Sequence, residues 1–254
     1  MELSNVINFF LFGYFGITLD EKEEKRCVFA CIMKAYSDAT NQGAYNTKIE
    51  NLQEQSNIAK KNAAKTLYKS CLEYFTQQDA EKPEYDDWHS DLCYELVNTY
   101  KDVKHPEDKT SVFTYGNAQK WVNMTVKYLT MLVSLGMLES YEALIDKNKS
   151  KFHIPIDSYI LSALWRNEET TNELKEKFPT KKAVNSNHDS SKVNGWSNWD
   201  NKSYEHFRSD VIGKIICQED PLDYENKVWI TEAKRRKGNE INSKIASFFK
   251  EDIT

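Results

Sequence analysis

Turn-forming residues are scarce in this chain. Eight Gly and five Pro punctuate 254 residues, too few for the many tight turns that a protein of short strands requires. Between them run long stretches with apolar residues at helical spacing, and no stretch alternates over more than five residues as a half-buried strand does. The fold class that follows is all-α. The length suits one large domain or two small ones. A division near residue 100 separates an N-terminal helical part, 1–100, from a second helical part, 101–254, packed together as one unit. A hydrophobic share of 40% supports a core, while 29% charged residues make the surface polar.

The formal net charge is −5, which counts against a uniformly basic nucleic-acid binder. The charge is uneven. The first hundred residues carry 10 Lys and Arg against 16 Asp and Glu, and the rest carry 24 against 23. The acidic N-terminal half offers a surface for a protein partner, and the second half can hold local basic patches. The five cysteines, Cys27, Cys31, Cys71, Cys93 and Cys217, form no CxxC pair. Cys27 and Cys31 stand four apart on a helix without a third ligand nearby, so they are expected as buried thiols in a reducing compartment. The apolar run Asn8–Ile17 is too short to span a bilayer and lacks a signal peptide's basic start and cleavage site. It is expected as a core helix of a cytoplasmic protein with no membrane segment.

Along the chain, Thr18-Leu19-Asp20-Glu21 has the form of a capping box ahead of a helix reaching about Ala39. A loop at 41–44 follows, then a long helix from Lys48 to Gln77 with a break expected near Ser56. Asp79–Asp87 is an acidic connection whose Asp86 or Asp87 caps the helix bearing Trp88, Leu92 and Leu96. A second polar connection holds Pro106. Tyr141, Leu144 and Ile145 mark a short helix. Residues 178–198 read as a surface loop, with Trp196–Asp200 as an aromatic turn. A helix over Lys202–Gln218 follows, then one over Pro221–Lys237, then a separate amphipathic piece with Ile241, Ile245, Phe248 and Phe249.

Two segments carry the chemistry. Tyr115-Gly116-Asn117-Ala118-Gln119-Lys120 leads into an apolar helix, and Gly116 allows a tight turn with positive φ ahead of it. Free N–H groups at such a helix start suit a phosphate. A cation in a helix's first turn opposes the helix dipole, and an uncharged lysine amine is a nucleophile. Phe152-His153-Ile154-Pro155-Ile156-Asp157 leads into a second helix, which Asp157 is placed to cap. A carboxylate fixed there can stabilise a developing cation. Taken singly, Lys120 also reads as a solvated lysine and Asp157 as a plain cap.

In order, Gly116, Lys120 and the Pro155-Ile156-Asp157 segment resemble the glycine-containing hairpin, lysine and Pro-x-Asp of the helix-hairpin-helix DNA glycosylases. The separation of Lys120 from Asp157 is most similar to that of the archaeal 8-oxoguanine DNA glycosylase type. The resemblance covers residues 110–165. It implies excision of a damaged or modified base in DNA repair, with Lys120 attacking the sugar of a flipped nucleotide and Asp157 stabilising the cationic sugar. Lyase cleavage can follow from the Schiff base. It implies DNA as partner, with Gly116, Asn117, Gln119, Lys127, Lys234 and Arg235 as contacts and Tyr115, Trp121 and Trp165 as rings for base stacking. No metal or cofactor motif is present. The basic cluster Lys234–Lys237 suits phosphates, while a solvated helix end, where cations are favoured, is the plainer reading. Of the five histidines, only His153 lies near the two segments. The alternative is a non-catalytic helical module that binds nucleic acid or a protein.

Overall fold

The computed structural model describes residues 2–40, 50–77, 82–104, 112–166, 196–213, 216 and 219–251. Among these there are nine α-helices and no β-strand. They are α1 (Leu3–Phe15), α2 (Glu24–Ala39), α3 (Glu50–Thr76), α4 (Tyr85–Thr99), α5 (Tyr115–Ser134), α6 (Glu139–Asn148), α7 (Ser158–Arg166), α8 (Asn201–His206) and α9 (Pro221–Glu251). A wide π-helical turn, Phe207–Ile212, extends α8, and a single 3₁₀ turn, Trp196–Asn198, precedes it.

The helix α5 is the axis. It packs against α2, α4, α6, α8 and the Trp196–Asn198 turn. Its sequence explains why. Trp121, Val122, Val126, Leu129 and Leu132 are all fully buried, and so are the polar Gln119, Asn123 and Thr125. A helix apolar on nearly every side belongs inside. An aromatic as large as Trp121 removes about 150–250 Å² from water, worth about 4–6 kcal/mol before entropy. Its indole Nε1 donates to the Ile32 carbonyl of α2 at 2.9 Å, so burial leaves no orphan donor. The helix stops where Gly136 takes φ 70° and Met137 N–H returns to the Leu132 carbonyl. That left-handed residue favours glycine.

Several local expectations change. The apolar N-terminal run is helical, but Phe9, Phe10 and Phe12 are exposed, and only Leu11 of α1 is buried. The helix packs on α2 and, through Tyr14 and Phe15 at its C-terminal end, on Tyr128 of α5, which leaves Phe9, Phe10 and Phe12 uncovered. Thr18–Glu21 is a turn in which Thr18 Oγ1 donates to Asp20, and α2 starts later, at Glu24. The helix α3 runs unbroken past Ser56, which is buried within it. At α4 the N-cap is Glu84, with Asp86 and Asp87 inside the first turn. The last helix is one element to Glu251.

Other expectations hold. The aromatic turn before α8 buries Trp196 and Trp199, and at its end Asp200 caps α8 by accepting from Ser203 N at 2.8 Å. Cys27, Cys31, Cys71 and Cys93 are buried, and burial pushes the Cys27 thiol up to about 11. No helix among the described residues is long and apolar enough to cross a membrane. The loops at 41–44 and 178–195, Pro106, Cys217 and the side chains of Trp165, Ile241, Ile245, Phe248 and Phe249 lie outside the described residues.

Candidate active site

Lys120 sits on the second turn of α5, and Asp157 immediately precedes α7. The structure brings them together: Lys120 Nζ lies 3.6 Å from Asp157 Oδ2. Lys120 is 6% exposed, so it is not a solvated surface lysine. At 3.6 Å the pair is an ion pair, and the separation is longer than a direct charge-assisted hydrogen bond. Asp157 is held by its other oxygen. Oδ1 accepts from Tyr159 N at 2.8 Å and Ile160 N at 3.0 Å, the N-cap geometry its sequence position calls for. Two helix starts thus fix the amine and the carboxylate independently of each other.

Trp196 closes one side, its ring centroid 4.7 Å from Lys120 Nζ. A cation over an indole face is favourable. A second buried pair lies two turns along α5, where Lys127 is bonded to Glu225 of α9. Burial raises the Glu225 carboxyl above its ordinary range and Lys127 opposes that rise, with weaker contributions from Asp157 and Lys120. Four opposite charges therefore share one water-poor region between α5, α7 and α9.

The turn expected at Gly116 is not there. Gly116 lies in the first helical turn of α5, and the glycines with positive φ among the described residues are Gly16 and Gly136. The reason is the cap. Thr114 Oγ1 accepts from Asn117 N at 3.2 Å, and Asn117 Oδ1 accepts from Thr114 N at 3.3 Å, a reciprocal box that starts the helix one residue before Gly116. Glycine is needed there for closeness. A Cβ at 116 would meet the Trp196 carbonyl oxygen at 2.0 Å, and Gly116 N donates to the Trp199 carbonyl at 3.0 Å.

The other residues singled out by sequence are distributed as follows. Asn117 is committed to the cap, with Nδ2 3.5 Å from the Ala39 carbonyl. Gln119 is fully buried and donates to the Gly116 carbonyl. Tyr115 and Trp121 are core side chains, and the ring beside Lys120 is Trp196. Lys127 is held by Glu225. Lys234 is exposed, and Arg235 is bonded to Glu232.

Sequence reasoning missed a polar chain, exposed at its Arg208–Asp86 end and buried from His153 inward, that joins the two segments. Arg208 Nη2 donates to Asp86 Oδ2 at 2.9 Å, and Asp86 Oδ1 faces His153 Nε2 at 2.9 Å. His153 Nδ1 meets Tyr204 Oη at 3.0 Å. Asn123 Nδ2 lies 3.1 Å from Tyr204 Oη, 3.1 Å from the Ile154 carbonyl and 3.0 Å from Gln119 Oε1. Asn123 Oδ1 meets His89 Nε2 at 2.8 Å. The chain ties the 152–156 segment, which delivers Asp157, to the face of α5 that delivers Lys120.

The charges respond accordingly. Burial lowers the pKa of His153, against the pull of Asp86, and lowers that of His89 further, with repulsion from His153 added. The hydrogen bond from His153 is the main reason the Asp86 carboxyl falls to about 2. A neutral His153 thus donates from Nε2 to an ionised Asp86 and accepts from Tyr204. The available signal was Asn123, an amide in the middle of an apolar helix, where burial without partners is costly. A cavity of about 470 Å³ opens beside the chain, lined by His153, Ile154, Ile156, Tyr204, Arg208 and Pro221, and Lys120 and Asp157 do not line it.

Neither protein-family models nor curated proteins nor solved structures give a match to this chain.

Proposed function

We propose that the protein is a DNA glycosylase-like enzyme that releases a damaged or modified base, with Lys120 as nucleophile. The observation that carries this reading is the buried approach of Lys120 Nζ to Asp157 Oδ2 at 3.6 Å, each group fixed by its own helix start. Amine and carboxylate next to one another, in a region poor in water, are what a reaction through a cationic sugar needs.

In this reading the Lys120 ammonium of the ion pair first gives up a proton to water, and the free amine attacks C1′ of a flipped nucleotide. The new N–C1′ bond replaces the glycosidic bond, whose electron pair leaves with the base, and the base takes up the proton that the attacking nitrogen sheds. Opening of the sugar ring gives a Schiff base, with the ring oxygen leaving as a hydroxyl. Loss of a C2′ proton then expels the 3′ phosphate if the enzyme is also a lyase, and water releases Lys120. Asp157 stabilises positive charge at the sugar throughout. Lys120 is 6% and Trp196 4% exposed, so a sugar reaches the amine only when Trp196 gives way.

Borohydride trapping tests this. Incubation with duplexes carrying a panel of damaged bases, followed by borohydride, is expected to yield a covalent protein–DNA adduct that Lys120→Gln abolishes. No adduct and no base release across the panel refutes the enzyme. The second reading, a non-catalytic helical binding module, draws on the exposed Phe9, Phe10 and Phe12 of α1, an apolar face of the kind that marks protein contacts.

A further inference from the structure

The helix α1 turns its most apolar face outward. From Leu3 to Phe15 it carries no charged side chain. Yet Phe9, Phe10 and Phe12 keep 75%, 66% and 66% of their surface in solvent, and Tyr14 keeps 47%. Residues three and four apart are neighbours on a helix surface, so Phe9 adjoins Phe12 and Gly13, and Phe10 adjoins Gly13. The four make one patch, three rings around a notch. Phe9 and Phe10 meet each other edge to face, their centroids 5.6 Å apart. The patch continues past Tyr14, whose hydroxyl is bonded to that of Tyr128. Met131 and Leu135, one and two turns further along the same side of α5, are exposed as well.

Gly13 is a second, separate observation. Glycine weakens a helix interior, and neither usual reason for one applies here. Its φ is not positive, and a Cβ at 13 would meet nothing within 4 Å. The fold of one chain has no need of glycine at this position. A hole between exposed rings is what a side chain from another helix fits into.

We infer that α1 is the interface for a second copy of this chain, docked antiparallel so that Phe9 of each copy seats on Gly13 of the other. Such a contact is isologous, each copy presenting the same patch. Charge favours this occupant. A helix that lies in a membrane surface carries Lys and Arg on its polar face, and α1 has neither. The turn after it, Asp20–Glu24, holds four acids against one lysine, which anionic lipid repels. An uncharged helix meets its own copy without a like-charge pair, and the antiparallel arrangement sets the two acidic turns at opposite ends of the contact. Area agrees. At about 200 Å² for each ring residue, the exposed shares of Phe9, Phe10, Phe12 and Tyr14 come to about 500 Å² per copy. The pair buries about 1,000 Å², where specific interfaces begin, which suits a reversible dimer with Kd on the order of 10 μM. The inference rests on the same rings as the binding-module reading and names their partner. It does not depend on the chemistry at Lys120.

Sedimentation equilibrium of the full chain, from about 1 to about 100 μM, tests it. Wild type is expected to pass from the 29.7 kDa of one chain to twice that mass. Phe9→Gln/Phe12→Gln is expected to raise Kd about thirtyfold or more. Gly13→Leu fills the notch and is expected to raise Kd about tenfold. Its urea midpoint should not fall, because a Cβ there meets no neighbour within the chain. Ile230→Gln removes another exposed apolar side chain, on α9, and is expected to leave Kd unchanged.

A wild type that stays monomeric throughout overturns the interface. So does a dimer indifferent to both α1 variants, since it forms elsewhere. A dimer weakened as much by Ile230→Gln overturns it too, because apolar exposure in general then drives association. If the double variant fails to fold, Gly13→Leu carries the test. A monomer that floats with phosphatidylcholine vesicles, and does not as Phe9→Gln/Phe12→Gln, makes lipid the occupant and overturns the second copy. A borohydride adduct from a monomeric wild type defeats this inference alone. A dimer weakened as expected that gives no adduct leaves it standing and defeats the catalytic reading.

Discussion

Gly116 is pressed against the backbone of Trp196, so closely that a Cβ at 116 would stand 2.0 Å from the Trp196 carbonyl oxygen. The obstacle is backbone and cannot swing aside. Thr114 Oγ1 is bonded to the Ser197 carbonyl, and Gly116 N to that of Trp199, so the turn is clamped where it is. Gly116→Ala must displace the turn that holds Trp196 over Lys120. The expected cost is about 1–3 kcal/mol of overpacking, measured by denaturant unfolding, with a rise in the solvent exposure of Trp196 fluorescence. Unchanged stability and spectrum would mean that the two segments do not meet this way.

Asp157 has two separable roles, because one oxygen caps α7 and the other faces Lys120. Asp157→Asn keeps an acceptor for the Tyr159 and Ile160 amides and loses the charge. Asp157→Ala loses both. Alanine is expected to cost about 0.5–2 kcal/mol in stability and asparagine a smaller amount. Both are expected to suppress borohydride trapping. Equal destabilisation by the two would show that Asp157 Oδ1 is not the cap.

How much of this was legible in the chain depended on whether the signal was local. Helix content followed from spacing and the shortage of Gly and Pro, and the Asp157 cap followed from a polar residue placed before an apolar run. The meeting of Lys120 with Asp157 was suggested only by resemblance, since nothing in the spacing fixes the angle between two helices. Gly116 was misassigned because glycine has two uses, positive φ and close approach, and the second depends on Trp196, eighty residues away in sequence. Glu225 and Glu232 lie on a helix with many acids and bases. Their burial comes from what α5 and α7 place against them, which no window on α9 contains. The exposed Phe9, Phe10 and Phe12 show the reverse error, an apolar run that packs along one stripe on α2 and Tyr128 and leaves most of its rings in solvent.

Acid should destabilise the fold earlier than carboxylates alone would cause. His89 and His153 have lowered pKa values in the folded protein and an ordinary value of 6.5 unfolded. Between those limits the unfolded chain binds protons that the folded one excludes, so stability falls as pH drops below 6.5. The slope is up to about 1.4 kcal/mol per pH unit for each histidine. Asp86 adds its own loss only as pH falls from 3.8 toward about 2. Urea unfolding from pH 7 downward should show the histidine-linked decline above the carboxylate range. A flat profile down to pH 5 would contradict buried neutral histidines.

Lys127 offers the opposite pH signature. Its removal in Lys127→Met leaves Glu225, with a 2% exposed side chain, charged and without its bonded partner. Breaking a buried pair on one side costs about 3–5 kcal/mol. The folded Glu225 carboxyl already has a raised pKa, and loss of Lys127, which opposes that rise, raises it further. Protonation restores a neutral group. The variant's deficit relative to wild type should therefore be largest at neutral pH and shrink as pH is lowered toward 4.5, the ordinary value. A deficit independent of pH would place the loss in packing instead.

Asn123 is the test of whether the polar chain holds the two segments in register. Its amide faces Gln119, Ile154, Tyr204 and His89, all within 2.8–3.1 Å. Asn123→Leu is close in size, so little volume changes, but several buried groups lose a partner at about 1–3 kcal/mol each. The expected loss is about 3 kcal/mol or more, larger than for Asn123→Asp, which keeps the acceptor toward His89. If the chain also positions the 152–156 segment, the adduct yield of Asn123→Leu should fall at saturating DNA under conditions where the variant is still folded by circular dichroism. Full trapping in a folded Asn123→Leu would confine the network to stability and leave Lys120 and Asp157 aligned by their helix starts alone.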